Sequence, residues 1–232
     1  MKKNLMKKPV LLLAAAIVLL LASAAGSTQA ALTYYSENYN AEVNVSELDV
    51  TLQTNDEQNQ VVEAQKLELT GNTDLIPGKT YEKDYSVKNS GAIDAYIRVI
   101  VTKSWKDADG KKDAQLTPAY IELSVADGNG WIKDTAASTA EREIYYYTEV
   151  LKAGNEENVE LINSFRVNPK VAKELIQTTN GNTVSYAYKY AGYKCAVEVE
   201  VDAVQTHNAV DAVKSAWGVD VAVASDGKLS LK

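Results

Sequence analysis

Along most of this chain the apolar residues recur at every second position, a period that excludes a helical scaffold. Residues 95–101 place Ile97, Val99 and Val101 on one face and Tyr96, Arg98 and Ile100 on the other. Both faces are largely apolar, as expected of a central strand with Arg98 at a rim. Further strands are expected at residues 43–52, 61–69, 81–87, 120–125, 143–151, 159–167, 184–190, 193–204 and 219–224. The spacing slips between Val45 and Leu48, where a bulge or a turn would restore the register. Turn chemistry separates the runs: Pro77-Gly78, Asn89-Ser90-Gly91, Asp109-Gly110, Asp127-Gly128-Asn129-Gly130, Asn180-Gly181-Asn182 and Asp226-Gly227. Gly91 is expected to supply the positive φ of a tight turn. Two short helices are expected. One covers residues 169–176; the other has Asn208 as cap, Val210, Val213 and Trp217 on one stripe, and Gly218 as stop. The sum is an all-β chain, a jelly-roll or immunoglobulin-like β-sandwich with one or two short helices.

The first thirty residues stand outside this pattern. Lys2, Lys3, Lys7 and Lys8 precede thirteen unbroken apolar residues, 10–22, and then the small residues that lead to Ala30 and Ala31. That order is a secretory signal helix with cleavage after Ala30 or Ala31. A spanning anchor would need about 20 apolar residues, so membrane contact is expected only through the uncleaved signal. The chain therefore divides into a signal peptide (1–30), an N-terminal segment (31–40) and a single β-sandwich domain (41–232), with a secreted or cell-surface destination.

Charge and cysteine narrow the partners. Loss of the four leader lysines from 24 basic residues leaves 20 against 31 acidic ones, a formal charge of −11. Such a surface repels nucleic acid and anionic headgroups. Cys195 is the only cysteine, so no internal disulfide forms. Its parity with Tyr193, Val197, Val199 and Val201 puts it on an apolar strand face as an inert thiol.

No catalytic constellation is legible. His207 is the one histidine, and there is no His-Glu-x-x-His, no Gly-x-Ser-x-Gly and no phosphate-cradling loop. We expect no enzyme activity, metal or cofactor. Asp107, Asp109 and Asp113 invite a calcium reading, but Lys106, Lys111 and Lys112 oppose it, and an Asp-Gly hairpin turn accounts for the acids. Glu198, Glu200 and Asp202 alternate with valines as the solvated face of one strand. Fourteen tyrosines against one phenylalanine suit half-buried sheets first and a subunit interface second.

Three stretches carry a resemblance. The junction Gly26-Ser27-Thr28-Gln29-Ala30-Ala31-Leu32-Thr33-Tyr34-Tyr35 resembles leaders cut by the SipW-type signal peptidase. Leu75-Ile76-Pro77-Gly78 through Asn89-Ser90-Gly91 to Ala95-Tyr96-Ile97-Arg98-Val99 resembles the core of the TasA/camelysin family, with Pro77, Gly78, Asn89, Gly91, Tyr96 and Arg98 as its structural motif. Residues 197–205 and Ala216-Trp217-Gly218 are similar to the end of that domain. The resemblance implies a secreted jelly-roll protein of a Gram-positive bacterium whose partners are the signal peptidase during export and then itself. It further implies a structural subunit of a biofilm-matrix fibre, assembled head to tail through the segment freed by cleavage. Here that segment holds Leu32, Tyr34, Tyr35 and Tyr39 with the single charge Glu37, and could add as a strand to a neighbour's sheet edge. Packing on its own domain, or staying unpacked as a floppy end, remains the alternative for the segment. For the whole chain the alternatives are a monomeric secreted adhesin or ligand-binding sandwich and, last, a camelysin-like metallopeptidase, a label some relatives carry but for which this chain lacks the ligands.

Overall fold

The structure, a computed structural model, describes residues 48–55, 60–64, 67, 69, 75–126, 128–154 and 158–232. The expected signal helix and the segment 31–40 lie outside the described residues.

The chain is mainly β, built as two antiparallel sheets packed face to face. The strands are β1 (Val50–Asn55), β2 (Val61–Glu63), β3 (Thr80–Asn89), β4 (Ala95–Lys106), β5 (Ile121–Val125), β6 (Trp131–Lys133), β7 (Arg142–Tyr147) and β8 (Val159–Val167). They continue with β9 (Leu175–Asn180), β10 (Thr183–Tyr188), β11 (Lys194–Gln205), β12 (Val221–Val223) and β13 (Leu229–Leu231). The helix α1 (Ala209–Trp217) lies between β11 and β12. One sheet has the order β2-β1-β3-β8-β5 and the other β11-β4-β7-β6. The pairs β9-β10 and β12-β13 stand as separate hairpins.

β4 organises the packing. Its ladder with β11 is unbroken over its whole length, from Ala95 opposite Gln205 to Lys106 opposite Lys194. Ile97, Val99 and Val101 face the first sheet and meet Tyr85, Val87, Leu161 and Ile162, all essentially without solvent contact. Tyr96 and Ile100 face the other way. There they join Ile144, Tyr146 and Val204 beneath a third layer made of Ala209 and Val213 of α1, Val221 of β12 and Leu229 of β13. Burying a side chain of this size contributes roughly 1.5–3 kcal/mol, so the short C-terminal elements are held by the sheet they cover. A third cluster closes one end of the sandwich with Tyr81, Trp105, Ile121, Phe165, Val167 and Tyr190.

Several expectations need correction. No helix covers residues 169–176. Asn168 caps a single 3-10 turn, Pro169–Ala172, by accepting from the Lys170 N–H, and the chain then enters β9. In α1 the buried stripe is Ala209 and Val213, whereas Val210 is 44% exposed. Asn208 precedes the helix in the left-handed region, φ 50°, and its side chain makes no capping bond. Arg98 is not at a rim; it lies mid-strand beneath the third layer. Gly91 is not one of the positive-φ glycines. Asn89 Oδ1 accepts the Gly91 N–H at 3.0 Å, so the side chain closes this turn without a left-handed residue.

A buried ion pair interrupts the inner face. Lys103 Nζ is 3.2 Å from Glu143 Oε1, with the two side chains only 6% and 14% exposed, and Lys133 reaches the same oxygen at 2.7 Å. Burial alone would push the Glu143 carboxyl up, but the two lysines outweigh it and hold it below its ordinary value. A carboxylate depressed on folding stabilises the fold above its unfolded pKa, and that contribution is lost as pH falls through the folded value. Glu143→Gln should therefore cost about 3 kcal/mol at neutral pH by leaving Lys103 buried without its anion. Urea titrations at neutral pH and well below the carboxylate range should find wild type and variant converging in acid.

Candidate assembly surface

The motif residues do not converge on a site; each is a structural clamp. At one end of the sandwich, Asn89 donates from Nδ2 to the carbonyls of Ile93 and Leu151, both at 2.9 Å. The Ser90 and Gly91 amides donate to Asp49 O at 3.1 and 3.0 Å. At the opposite end, the Gly78 amide donates to Val167 O at 2.7 Å. Gly78 has φ 87°, and an added Cβ would sit 3.4 Å from Pro169 Cβ, so the Pro77-Gly78 turn admits no bulkier residue without strain.

Tyr96 and Arg98 fasten the third layer. The Tyr96 hydroxyl donates to Gly227 O at 2.7 Å, in the turn between β12 and β13. Arg98 Nε and Nη2 both reach Asp202 Oδ2, at 2.9 and 2.6 Å, and the guanidinium lies 5.2 Å from the Trp217 ring centre. Trp217 in turn meets Tyr146 at 5.6 Å. A cation between a carboxylate and an aromatic face ties α1 to two strands at once.

The acidic loop is built by backbone contacts. Asp107 Oδ1 accepts from the amides of Asp109 and Lys111, and Asp113 accepts from the Gln115 amide and the Tyr193 hydroxyl. Those two bonds, the amide first, hold the Asp113 carboxyl below its ordinary value. Lys106 pairs with Lys112 across the hairpin. Among the described residues no group of three or more His, Cys, Asp or Glu is arranged to hold a metal ion. No helix among the described residues is long and apolar enough to cross a membrane. His207 is exposed. Cys195 is half-buried beside the Trp105 cluster, and burial pushes its thiol up, away from a reactive thiolate.

No family model, curated protein or solved structure matches the chain.

What the fold offers is edge. Among the described residues β11 pairs only with β4, so one side of a twelve-residue strand lacks a neighbour. The first sheet has five strands and the second four. β11 lies against β1, which leaves β2 with no described strand opposite it. Val61 and Val62 of β2 are 56% and 39% exposed. Val197, Val199 and Val201 of β11 and Val50 and Leu52 of β1 are only half-buried along the same seam. Near the end of that seam a shallow groove of about 320 Å³ is lined by apolar Leu48, Ile93, Ala203, Val204, Ala212 and Ala216 together with polar Gln205 and Ser215. Among the described residues no strand occupies this seam. Ala30, Ala31, Leu32, Tyr34, Tyr35 and Tyr39 lie outside the described residues.

A second feature was not legible as such in the sequence. β9 and β10 form a hairpin all of whose strand residues are exposed. The signal was there in the absence of any charged residue from position 175 to 188.

The clamp at Tyr96 has a measurable consequence. Tyr96→Phe keeps the ring and removes one hydrogen bond, so stability should fall by about 1 kcal/mol. Hydrogen exchange should rise at Leu229, whose amide donates to Thr148 O beside the released turn, while the inner-face ladder stays protected.

Proposed function

We propose that this chain is a secreted, non-catalytic structural subunit of an extracellular fibre, of the kind the TasA/camelysin resemblance implies, polymerising head to tail through residues 31–40. The open seam beside β11 carries this reading. A strand added there would complete the second sheet, pair with the free side of β11 and cover the half-buried valines. Length agrees: ten extended residues span roughly 34 Å and the twelve of β11 roughly 40 Å. Chemistry agrees as well, since Leu32, Tyr34, Tyr35 and Tyr39 bring apolar and aromatic side chains with one charge. Main-chain hydrogen bonds supply affinity in such strand addition and side-chain pockets supply specificity. The contact joins unlike surfaces of two copies, so it does not close on itself and extends as a filament.

The acids on β11 set the conditions. Glu198, Glu200 and Asp202 alternate along it, and Glu198 and Asp202 are ion-paired with Lys106 and Arg98. With a formal charge of −11 after leader removal, copies at neutral pH and low salt repel one another.

Deletion of residues 31–40 should leave a folded chain, by circular dichroism and thermal melting, that forms no filaments in electron micrographs; unchanged filaments reject the proposal. Wild-type assembly should accelerate as salt rises or as pH drops toward the range where carboxylates protonate. Light scattering that ignores both variables would count against the electrostatic part.

A further inference from the structure

The β9–β10 hairpin is anchored at its base and bare beyond it. At the base, Lys189 Nζ is 3.1 Å from Glu174 Oε2, the Lys189 amide donates to Glu174 O at 2.9 Å, and the Tyr120 hydroxyl donates to Glu174 Oε1 at 2.6 Å. Tyr190 then returns to the core against Trp105, 4.9 Å between ring centres. Past this base the two strands pair, among the described residues, only with each other, in register from Leu175 opposite Tyr188 to Asn180 opposite Thr183. Gly181 takes φ 61° in the two-residue connection, the left-handed conformation that tight hairpin loops require.

The register sorts the side chains onto two unlike faces. Directly opposed residues share a face and alternate ones change it. One face therefore carries Leu175 with Tyr188, Gln177 with Tyr186, and Thr179 with Val184. The other carries Ile176 with Ala187, Thr178 with Ser185, and Asn180 with Thr183. On the first face Leu175, Val184, Tyr186 and Tyr188 are 52%, 48%, 63% and 61% exposed. An isolated two-stranded hairpin is marginal in water, and this one presents its apolar face to solvent. It calls for a covering surface.

We propose that this arm docks on the same arm of a second copy of the chain, the two Leu175/Val184/Tyr186/Tyr188 faces packing together about a two-fold axis. Charge selects the occupant. The body is acidic, whereas the arm has no charge between Glu174 and Lys189, so among the described strands whose residues are all exposed another arm offers an apolar face without a charged neighbour. β2, β5 and β11 all carry acids. Six residues of strand project roughly 20 Å, more than two Debye lengths at physiological salt, where one is about 8 Å. Overlapping arms thus hold two negative bodies apart beyond the reach of their repulsion. The side chains would bury on the order of 500 Å² per copy, the lower end for specific interfaces, where reversible association is the rule. Like surfaces pair in this contact and close it, unlike the head-to-tail contact proposed above, so the two are independent.

Sedimentation of the full chain, and of the chain lacking residues 31–40, tests the arm. In the chain lacking residues 31–40 a concentration-dependent dimer should form and persist when salt is raised several-fold, and in the full chain at low salt the same dimer should appear ahead of any larger species. Val184→Asp with Tyr186→Asp, on the apolar face, should weaken it by roughly tenfold or more. Thr178→Asp with Ser185→Asp adds the same charge to the opposite face and should leave the dimer in place. A strictly monomeric chain overturns the proposal, as does dimer loss with both double variants or with neither. Tyr186-dependent binding of neutral lipid vesicles or polysaccharide by a chain that stays monomeric would assign the arm to another ligand and overturn it equally.

Discussion

β4 must be covered on both faces, and the rest of the molecule is arranged to do so. A strand with Ile97, Val99 and Val101 on one side and Tyr96 and Ile100 on the other leaves a large apolar area in water if only one layer packs on it. The first sheet takes the inner face. The outer face is taken by elements too small to persist alone, a nine-residue helix and a hairpin with three residues per strand. Isolated helices of that length are unstable in water, and so are hairpins of that size. Their structure is therefore a consequence of β4. The polar atoms at this interface are clamps for the same reason: Tyr96 on the Gly227 carbonyl and Arg98 between Asp202 and Trp217 fix the register of a layer that apolar contact alone would leave free to slide.

The elements that were legible in the sequence are those whose burial is two-sided or strictly alternating. Residues 159–167 coincide with β8, and the apolar character of both faces of β4 was plain. What escaped was structure whose reason lies elsewhere in the chain. β6 and β13 have three residues each, too few for a period to register, and form because Tyr147 and Val221 offer partners. Residues 169–176 begin with proline and continue Lys-Val-Ala-Lys-Glu-Leu, a pattern with good helix propensity. Pairing with β10 overrides that propensity from Leu175 onward, because strand pairing outweighs a preference of a few tenths of a kcal/mol per residue.

The motif residues illustrate a different limit. Pro77, Gly78, Asn89, Tyr96 and Arg98 were legible as a set, but their grouping in sequence does not make them neighbours in space. Pro77-Gly78 and Asn89 cap opposite ends of β3, while Tyr96 and Arg98 point into the outer layer. Arg98 in particular reads as a rim residue because a lone charge on an apolar strand suggests exposure. Its two partners arrive from positions 202 and 217, and no local pattern can announce a pairing across more than a hundred residues.

The distribution of charge has one further consequence. Acids line the seam through β11, yet the two places that lack a strand or a cover among the described residues, the seam and the arm, are apolar or neutral in their contact atoms. Repulsion acts over a Debye length or more, whereas apolar packing and main-chain pairing act only at contact. A chain with this layout resists random approach of its copies, and the proposed assembly would favour only those orientations that bring a neutral element past the acidic body. In the assembly proposed above, a ten-residue segment with one charge and an arm of roughly 20 Å with none would both meet that condition, the first alongside β11, the second against its like beyond the body's field. On that proposal, edge protection and directed assembly would be two results of one placement of carboxylates, and an acidic surface would be compatible with a self-associating one on a single fold.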